Sequence, residues 1–183
     1  MAKKKSNNLS LVITLVIVAL CVVTLCTLFM PIVSAHQINT DASVAATGAD
    51  MLKAAFASEW STEMSEGTTW LYSMKTAEEY AFLTNVYMWS YIVTLLVSAA
   101  TLVFSVLSLL GMRFKLVNTI LGIALVVLAL VVLILSIIVA VKNTSITEVL
   151  GVKTGVKGVL SVGAYMLLGT MLAGGAQVYK ARS

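Results

Sequence analysis

Apolar residues fall in four long runs, separated by one long and two short polar stretches. The first extends from Leu9 to Ala35. It is broken inside only by Thr14, Thr24, Thr27 and small residues, and Pro31 lies near its far end. The others cover 81–112, 116–141 and 158–178. About 20 apolar residues cross a bilayer as a helix, so each run is long enough to span. The pattern predicts an all-α integral membrane protein: a four-helix transmembrane bundle with a mainly helical extracytoplasmic segment between spans 1 and 2. The remainder divides into an N-terminus at 1–8, an outer segment at 36–80, an inner turn at 113–115, an outer loop at 142–157 and a C-terminus at 179–183.

Within the outer segment, Thr40 or Asp41 is placed to cap a helix running to about Met64. Leu52, Phe56 and Trp60 recur every four residues, with Met51 and Ala55 beside them, and form an apolar stripe. That stripe is a candidate partner face. Gly67-Thr68-Thr69 then breaks the pattern. Thr76 and Glu79 read as a capping box for a helix that continues into the second span as far as Gly111. Such a helix is about 50 Å long against a hydrocarbon core of about 30 Å, so it projects outward. Tyr80, Phe82, Tyr87, Trp89 and Tyr91 sit at the projecting level and read as an interfacial aromatic belt.

Small and hydroxyl residues recur at helical spacing inside the spans. Thr94, Ser98, Thr101, Ser105 and Ser108 share one face of the second. Asn118, Gly122, Ala129 and Ser136 share a face of the third, and Gly169 and Ala173 are one turn apart in the fourth. Lipid supplies no hydrophobic drive for helix association, so small residues at this spacing mark places where backbones approach closely. These residues form either a helix-packing face or, for the second span's hydroxyls, the lining of a pore.

Charge orients the chain. Lys3, Lys4, Lys5, Arg113, Lys115, Lys180 and Arg182 fall on one side, and Lys53, Lys75, Lys142, Lys153 and Lys157 on the other. The first group is packed into short segments, where the positive-inside tendency is strongest. Both termini are therefore expected in the cytoplasm, with the chain in the cell membrane. The outer segment carries seven carboxylates against two lysines, a local charge of −5. Val33-Ser34-Ala35 offers small residues suited to a signal peptidase, but the apolar run is far longer than the roughly 7–15 residues of a signal peptide, so it is expected to stay as a span.

Composition narrows the chemistry. Residues are 60% hydrophobic and 11% charged, against about 25% charged in soluble domains. The spans hold no Asp, Glu, Lys, Arg or His in their cores. This argues against ion-coupled transport and intramembrane proteolysis, which need ionisable groups there. His36 is the only histidine. Cys21 and Cys26 lie about 140° apart around one helix and cannot pair within it. Gly151 to Lys157 lacks the spacing of a phosphate-binding loop. No catalytic, cofactor or metal site and no nucleic-acid partner is expected.

The layout of a 45-residue first outer segment, the tight turn Gly111-Met112-Arg113-Phe114-Lys115 and a short second outer loop resembles the claudin and peripheral-myelin type of tetraspan protein in topology. That family's first outer segment is stranded and combines tryptophans with a cysteine pair. Here Trp60 and Trp70 occur without the cysteines, and the segment reads as helical. A connexin-like large-pore layout shares the topology and also carries outer cysteines that are missing here. The expected function is that of a non-enzymatic scaffold, adhesion or accessory subunit, with the lipid bilayer and a second copy or another membrane protein as partners. The alternative is a subunit of an oligomeric membrane pore or channel lined by the second span's hydroxyls.

Overall fold

In the computed structural model, the first apolar run is helical only as far as Cys26. Helix α1 covers Ala2–Cys26 and tightens into a 3-10 turn at Thr27–Phe29. Pro31, which has no amide proton to continue a helix, then opens strand β1, Pro31–Gln37. The later elements are β2 (Ser43–Thr47), α2 (Gly48–Phe56), α3 (Glu66–Thr76), α4 (Ala81–Leu109), α5 (Lys115–Lys142), β3 (Ser145–Val149), β4 (Val152–Leu160) and α6 (Val162–Arg182). The structure describes the backbone of residues 2–38, 40–112, 114–149 and 152–182, and the side chains of 9–38, 40–112, 114–145 and 155–182. Arg113 and the side chains of Lys3, Lys4, Lys5 and Lys153, on which the orientation argument partly draws, lie outside the described residues.

Among the described residues, three helical stretches are long and apolar enough to cross a membrane: Leu9–Phe29, Ala81–Leu109 and Lys115–Lys142. By these the chain is mostly helical and suited to a membrane. The all-α expectation needs correction, because the structure also holds a four-stranded antiparallel sheet of order β2-β1-β4-β3. Residues 31–35, expected as the end of the first span, form most of β1. Residues 142–157, expected as a loop, build the β3–β4 hairpin, so the last helix starts at Val162 and not at Gly158. β1 pairs with β2 on one edge and with β4 on the other, from Val33↔Leu160 to Gln37↔Val156. This leaves its buried residues Val33 and Ser34 paired on both edges, while Ile32, at an irregularity in the β1–β2 register, accepts from the Ser161 amide at 2.9 Å.

The outer helices also differ from expectation. β2 occupies the place of the first turns of the helix expected from Thr40 or Asp41, and α2 starts at Gly48 under a Thr47 cap. It ends at Phe56, so Trp60 lies beyond it. α3 runs through Gly67-Thr68-Thr69, where a break was expected. Gly67 is needed there because a Cβ would lie 2.5 Å from the carbonyl oxygen of Ala45 and 2.8 Å from the Asp50 carboxylate. Thr76 closes α3, its hydroxyl donating back to the Tyr72 and Ser73 carbonyls, so the expected capping box with Glu79 is not formed. Tyr87 and Tyr91 are fully buried and do not form an interfacial belt, whereas Phe82 and Trp89 are exposed.

The chain divides into two compact units. One comprises residues 1–26, 93–130 and 166–183, and its core gathers Ile17, Cys21 and Ala173, with Ile13, Leu20, Leu102 and Ala176 against them. Within it, α5 and α6 approach closely at a pair of glycines. A Cβ on Gly122 would lie 2.7 Å from the Gly174 carbonyl oxygen, and one on Gly174 would lie 2.5 Å from that of Gly122. The other unit comprises residues 27–92 and 131–165 and contains the sheet, α2 and α3; Ile32, Val33, Met51, Leu71, Tyr87 and Tyr91 are among its fully buried side chains.

The glycine pair gives a direct expectation. Gly122→Leu or Gly174→Leu forces α5 and α6 apart and lowers stability by about 1–3 kcal/mol, the usual range for overpacking. Gly175→Ala, with open space around the new methyl, is neutral or mildly stabilising. Thermal unfolding of the three variants in mild detergent checks the contrast.

Candidate functional site

The unit formed by residues 27–92 and 131–165 is organised around the buried carboxylate of Asp50. Thr47 and Asp50 form a reciprocal capping box at the start of α2. The Thr47 hydroxyl accepts from the Asp50 amide at 3.2 Å, and Asp50 Oδ2 accepts from the Thr47 amide at 2.9 Å. The Thr47 hydroxyl also donates to Asp50 Oδ2 at 2.7 Å. Asp50 Oδ1 accepts from the hydroxyls of Ser65, the N-cap of α3, and Thr68. Asp50 is 8% exposed. Burial alone would push its pKa up, but the hydrogen bonds from Ser65, Thr47 and Thr68 outweigh it and hold the carboxyl below its ordinary 3.8.

The opposite charge closes the other end of α2. Lys75, in the last turn of α3, donates to the carbonyls of Ala54, Ala55 and Ala57 at 2.9–3.0 Å. An anion thus sits at the start of both helices and a cation at the end of α2, as the helix dipole favours. The two helices therefore run in the same direction. Tyrosines continue the scaffold inward. The Tyr91 hydroxyl meets Thr27 Oγ1 at 2.8 Å and lies against Gly48, where a side chain would collide with it. Tyr87 donates to Ser136 Oγ at 2.9 Å, and Ser136 passes its own proton to the Val132 carbonyl.

With its polar groups used in this way, the unit leaves apolar aromatic surface uncovered. Of the expected partner stripe, Leu52 is half-buried, Phe56 is 65% exposed and Trp60 is 59% exposed. They do not form one helical stripe, since Trp60 follows the end of α2. The face that α2 buries is Met51, Ala54 and Ala55. Phe56 instead meets Trp89 of α4 edge to face, with ring centroids 5.4 Å apart. Asp41, Glu59, Glu63, Glu66, Glu78 and Glu79 are exposed. Glu79 pairs with Lys142 at 3.8 Å, a solvated contact of small value.

The candidate packing residues are mostly sealed inside the chain. Thr94, Ser98, Thr101, Ser105 and Ser136 are 0% exposed, and Asn118, Gly122, Ala129 and Ala173 are buried. Ser108 and Gly169 are half-buried. Several hydroxyls have partners. Thr101 donates to the Val97 carbonyl, Ser98 reaches the Cys21 carbonyl at 3.5 Å, Ser105 reaches Gln177 at 3.4 Å, and Thr24 bonds Thr170 at 2.8 Å. His36 is exposed, and its Nε2 lies 3.2 Å from Ser34 Oγ. Among the described residues, no three His, Cys, Asp or Glu side chains gather as a metal site.

Sequence reasoning missed Asp50 and Lys75. Thr47-Gly48-Ala49-Asp50 has capping-box spacing with Asp in place of the usual Glu, which is the signal that marks the true start of α2. No known protein family, curated protein or solved structure matches the chain.

Asp50→Ala removes the cap and leaves buried hydroxyls unpaired, and should destabilise the outer unit by about 2–3 kcal/mol. Lys75→Met should lose about 1–2 kcal/mol, since both a charged donor and the dipole contact go. The depressed Asp50 pKa stabilises the fold fully above pH 3.8, and this contribution is lost as pH falls below that value through the folded pKa. Hydrogen exchange of α2 and α3 should therefore accelerate on acidification below about pH 4 in the natural chain, and much less so in Asp50→Asn.

Proposed function

We propose that the protein is a non-enzymatic tetraspan membrane protein that works as a scaffold, adhesion or accessory subunit. Its helices anchor a rigid outer unit, and that unit binds a second copy or another membrane protein. The observation that carries this reading is the exposure of the aromatic residues Phe56 and Trp60 on a unit whose Asp50 carboxylate and Lys75 ammonium are spent on holding its helices. Exposed aromatic residues of this size on a fixed frame are the usual anchors of protein interfaces. The surrounding carboxylates favour a partner with basic residues at its rim.

The topology in this reading has α6 as a fourth span. Its 21 residues extend about 31 Å, enough for the hydrocarbon core. Its Thr170 bonds Thr24 of α1, and its Ala173 shares a core with Ile17 and Cys21. Thr24 meets Thr170, and Ile17, earlier in α1, shares a core with Ala173, later in α6, which supports opposite directions for the two helices. Both termini then face the cytoplasm, as the lysine and arginine placement suggests. α4, at 29 residues and about 43 Å, reaches past the bilayer and carries Phe82 and Trp89 to the outer level. Strands at both outer connections also narrow the departure from the claudin and peripheral-myelin layout.

Burial of the second span's hydroxyls supports packing within one chain over a water-filled lumen between chains. In a Cys21→Ala, Cys26→Ala background, Ser98→Cys and Ser105→Cys should resist a water-soluble thiol reagent; rapid labelling of either would favour the pore. Cross-linking in native membranes should recover a complex. Phe56→Ala with Trp60→Ala should reduce its yield about tenfold or more, as loss of two interface anchors does, while the chain stays folded and loses only the small stability of the Phe56–Trp89 contact. Recovery of monomer alone from the natural chain would refute the reading.

A further inference from the structure

The unit formed by residues 27–92 and 131–165 holds a sheet face that is open to its surroundings. His36 of β1 stands between Ser43 of β2 and Lys157 of β4 in register, so the three share one face of the sheet. All three are exposed, as is Ala45 on the same face of β2. β1 and β4 carry His36, Lys153 and Lys157 and no Asp or Glu. Carboxylates belong to the flanks, with Asp41 just before β2 and Glu148 in the edge strand β3. The middle of the sheet is thus basic, and the neighbouring Ser43 and Ala45 are too small to cover it.

The imidazole on this face is held in place. Its Nε2 lies 3.2 Å from Ser34 Oγ, which lies 2.9 Å from Ser161 Oγ. A ring already fixed loses little freedom when a partner covers it. The same unit presents a segment of opposite character. Residues 57–66, from the end of α2 to the first residue of α3, carry Glu59, Glu63 and Glu66 and no Lys or Arg. These three carboxylates are exposed, and Trp60 stands among them, also exposed. An indole flanked by carboxylates complements a lysine and an imidazole set among small residues. The ring face attracts the ammonium, and the carboxylates match the sign of the surface.

We propose that the sheet face around His36 and Lys157 binds the Trp60 segment of a second copy of this chain. Trp60 lies over the Lys157 ammonium beside the His36 ring, and Glu59 and Glu63 face the same basic surface. The contact rests on the scaffold reading, and it names both the partner and the surface that meets Trp60. Because the two surfaces differ, each copy offers one of each, and the contact closes as a reciprocal pair or repeats head to tail. Exposed opposite charges carry part of it, so salt weakens it.

Two differently tagged full-length copies, expressed together and solubilised in mild detergent, provide the test: one is captured by its tag and the other is measured. The natural pair should be captured together, and less so as salt rises. Lys157→Glu in both copies should cut capture about tenfold, and so should Glu59→Lys with Glu63→Lys in both, since like charges then face each other. When one copy carries Lys157→Glu and the other Glu59→Lys with Glu63→Lys, capture should return to within about threefold of the natural pair, because each basic surface again has an acidic one to meet. All three positions are exposed, and circular dichroism confirms that each variant is folded. Undiminished capture with Lys157→Glu, or a mixed pair no better than either variant with itself, would overturn the contact. Capture lost through Phe56→Ala with Trp60→Ala but kept through Lys157→Glu would overturn it too, and leave the scaffold reading standing. Monomer alone from the natural chain would sink both.

Discussion

Backbone amides and carbonyls that leave a membrane helix and stay buried must find partners, because little water is there to supply them. Strand β1 meets this constraint on both edges, with β2 on one and β4 on the other. Much of the unit formed by residues 27–92 and 131–165 follows from that. The pairing joins segments that are distant in the chain; Ser34 and Ser161, which bond at 2.9 Å, are separated by 127 positions. β2, held against β1, presents Thr47 as the cap of α2, and α2 presents Asp50 to the start of α3. Lys75 then closes the far end of α2. Without the central strand, the carboxylate would have neither its cap nor its hydroxyl donors, and a buried charge with no partner is strongly unfavourable.

The two units use polar residues in opposite ways. In the one built from residues 1–26, 93–130 and 166–183, hydroxyls are small packing pieces that bond to helix carbonyls or to one another. In the unit built from residues 27–92 and 131–165, charge is structural: Asp50 and Lys75 fix two short helices that would be marginal alone in water. The first arrangement suits contact with lipid. The second suits a surface that must hold its shape while presenting aromatic rings.

The apolar helices were legible because length and composition alone identify them. α4 and α5 match the expected runs to within a few residues. The sheet was not, because strand pairing is non-local and Pro31-Ile32-Val33-Ser34-Ala35 continues the preceding apolar run without a change in hydrophobicity. Pro31 was the local sign that the helix had ended. In the second outer segment, Val152, Thr154 and Val156 alternate with Lys153, Gly155 and Lys157, a strand pattern hidden by its glycines and lysines. The stripe of Leu52, Phe56 and Trp60 misled because spacing assigns a face only while the helix lasts, and α2 ends at Phe56. The small-residue face of the second span was readable in sequence as a face, and its burial required the structure.

The pairing of β1 with β4 is the part of the structure most open to direct trial. His36 and Lys157 are both exposed and stand opposite each other in register. In a chain whose Cys21 and Cys26 are replaced by Ala, His36→Cys with Lys157→Cys should form an intramolecular disulfide under mild oxidation in the membrane. His36→Cys with Val156→Cys, one residue out of register and on the other face, should not. Cross-linking of the first pair but not the second is the expected result. Failure of the first pair, or equal yields from both, would contradict the strand register on which the sheet-containing unit depends.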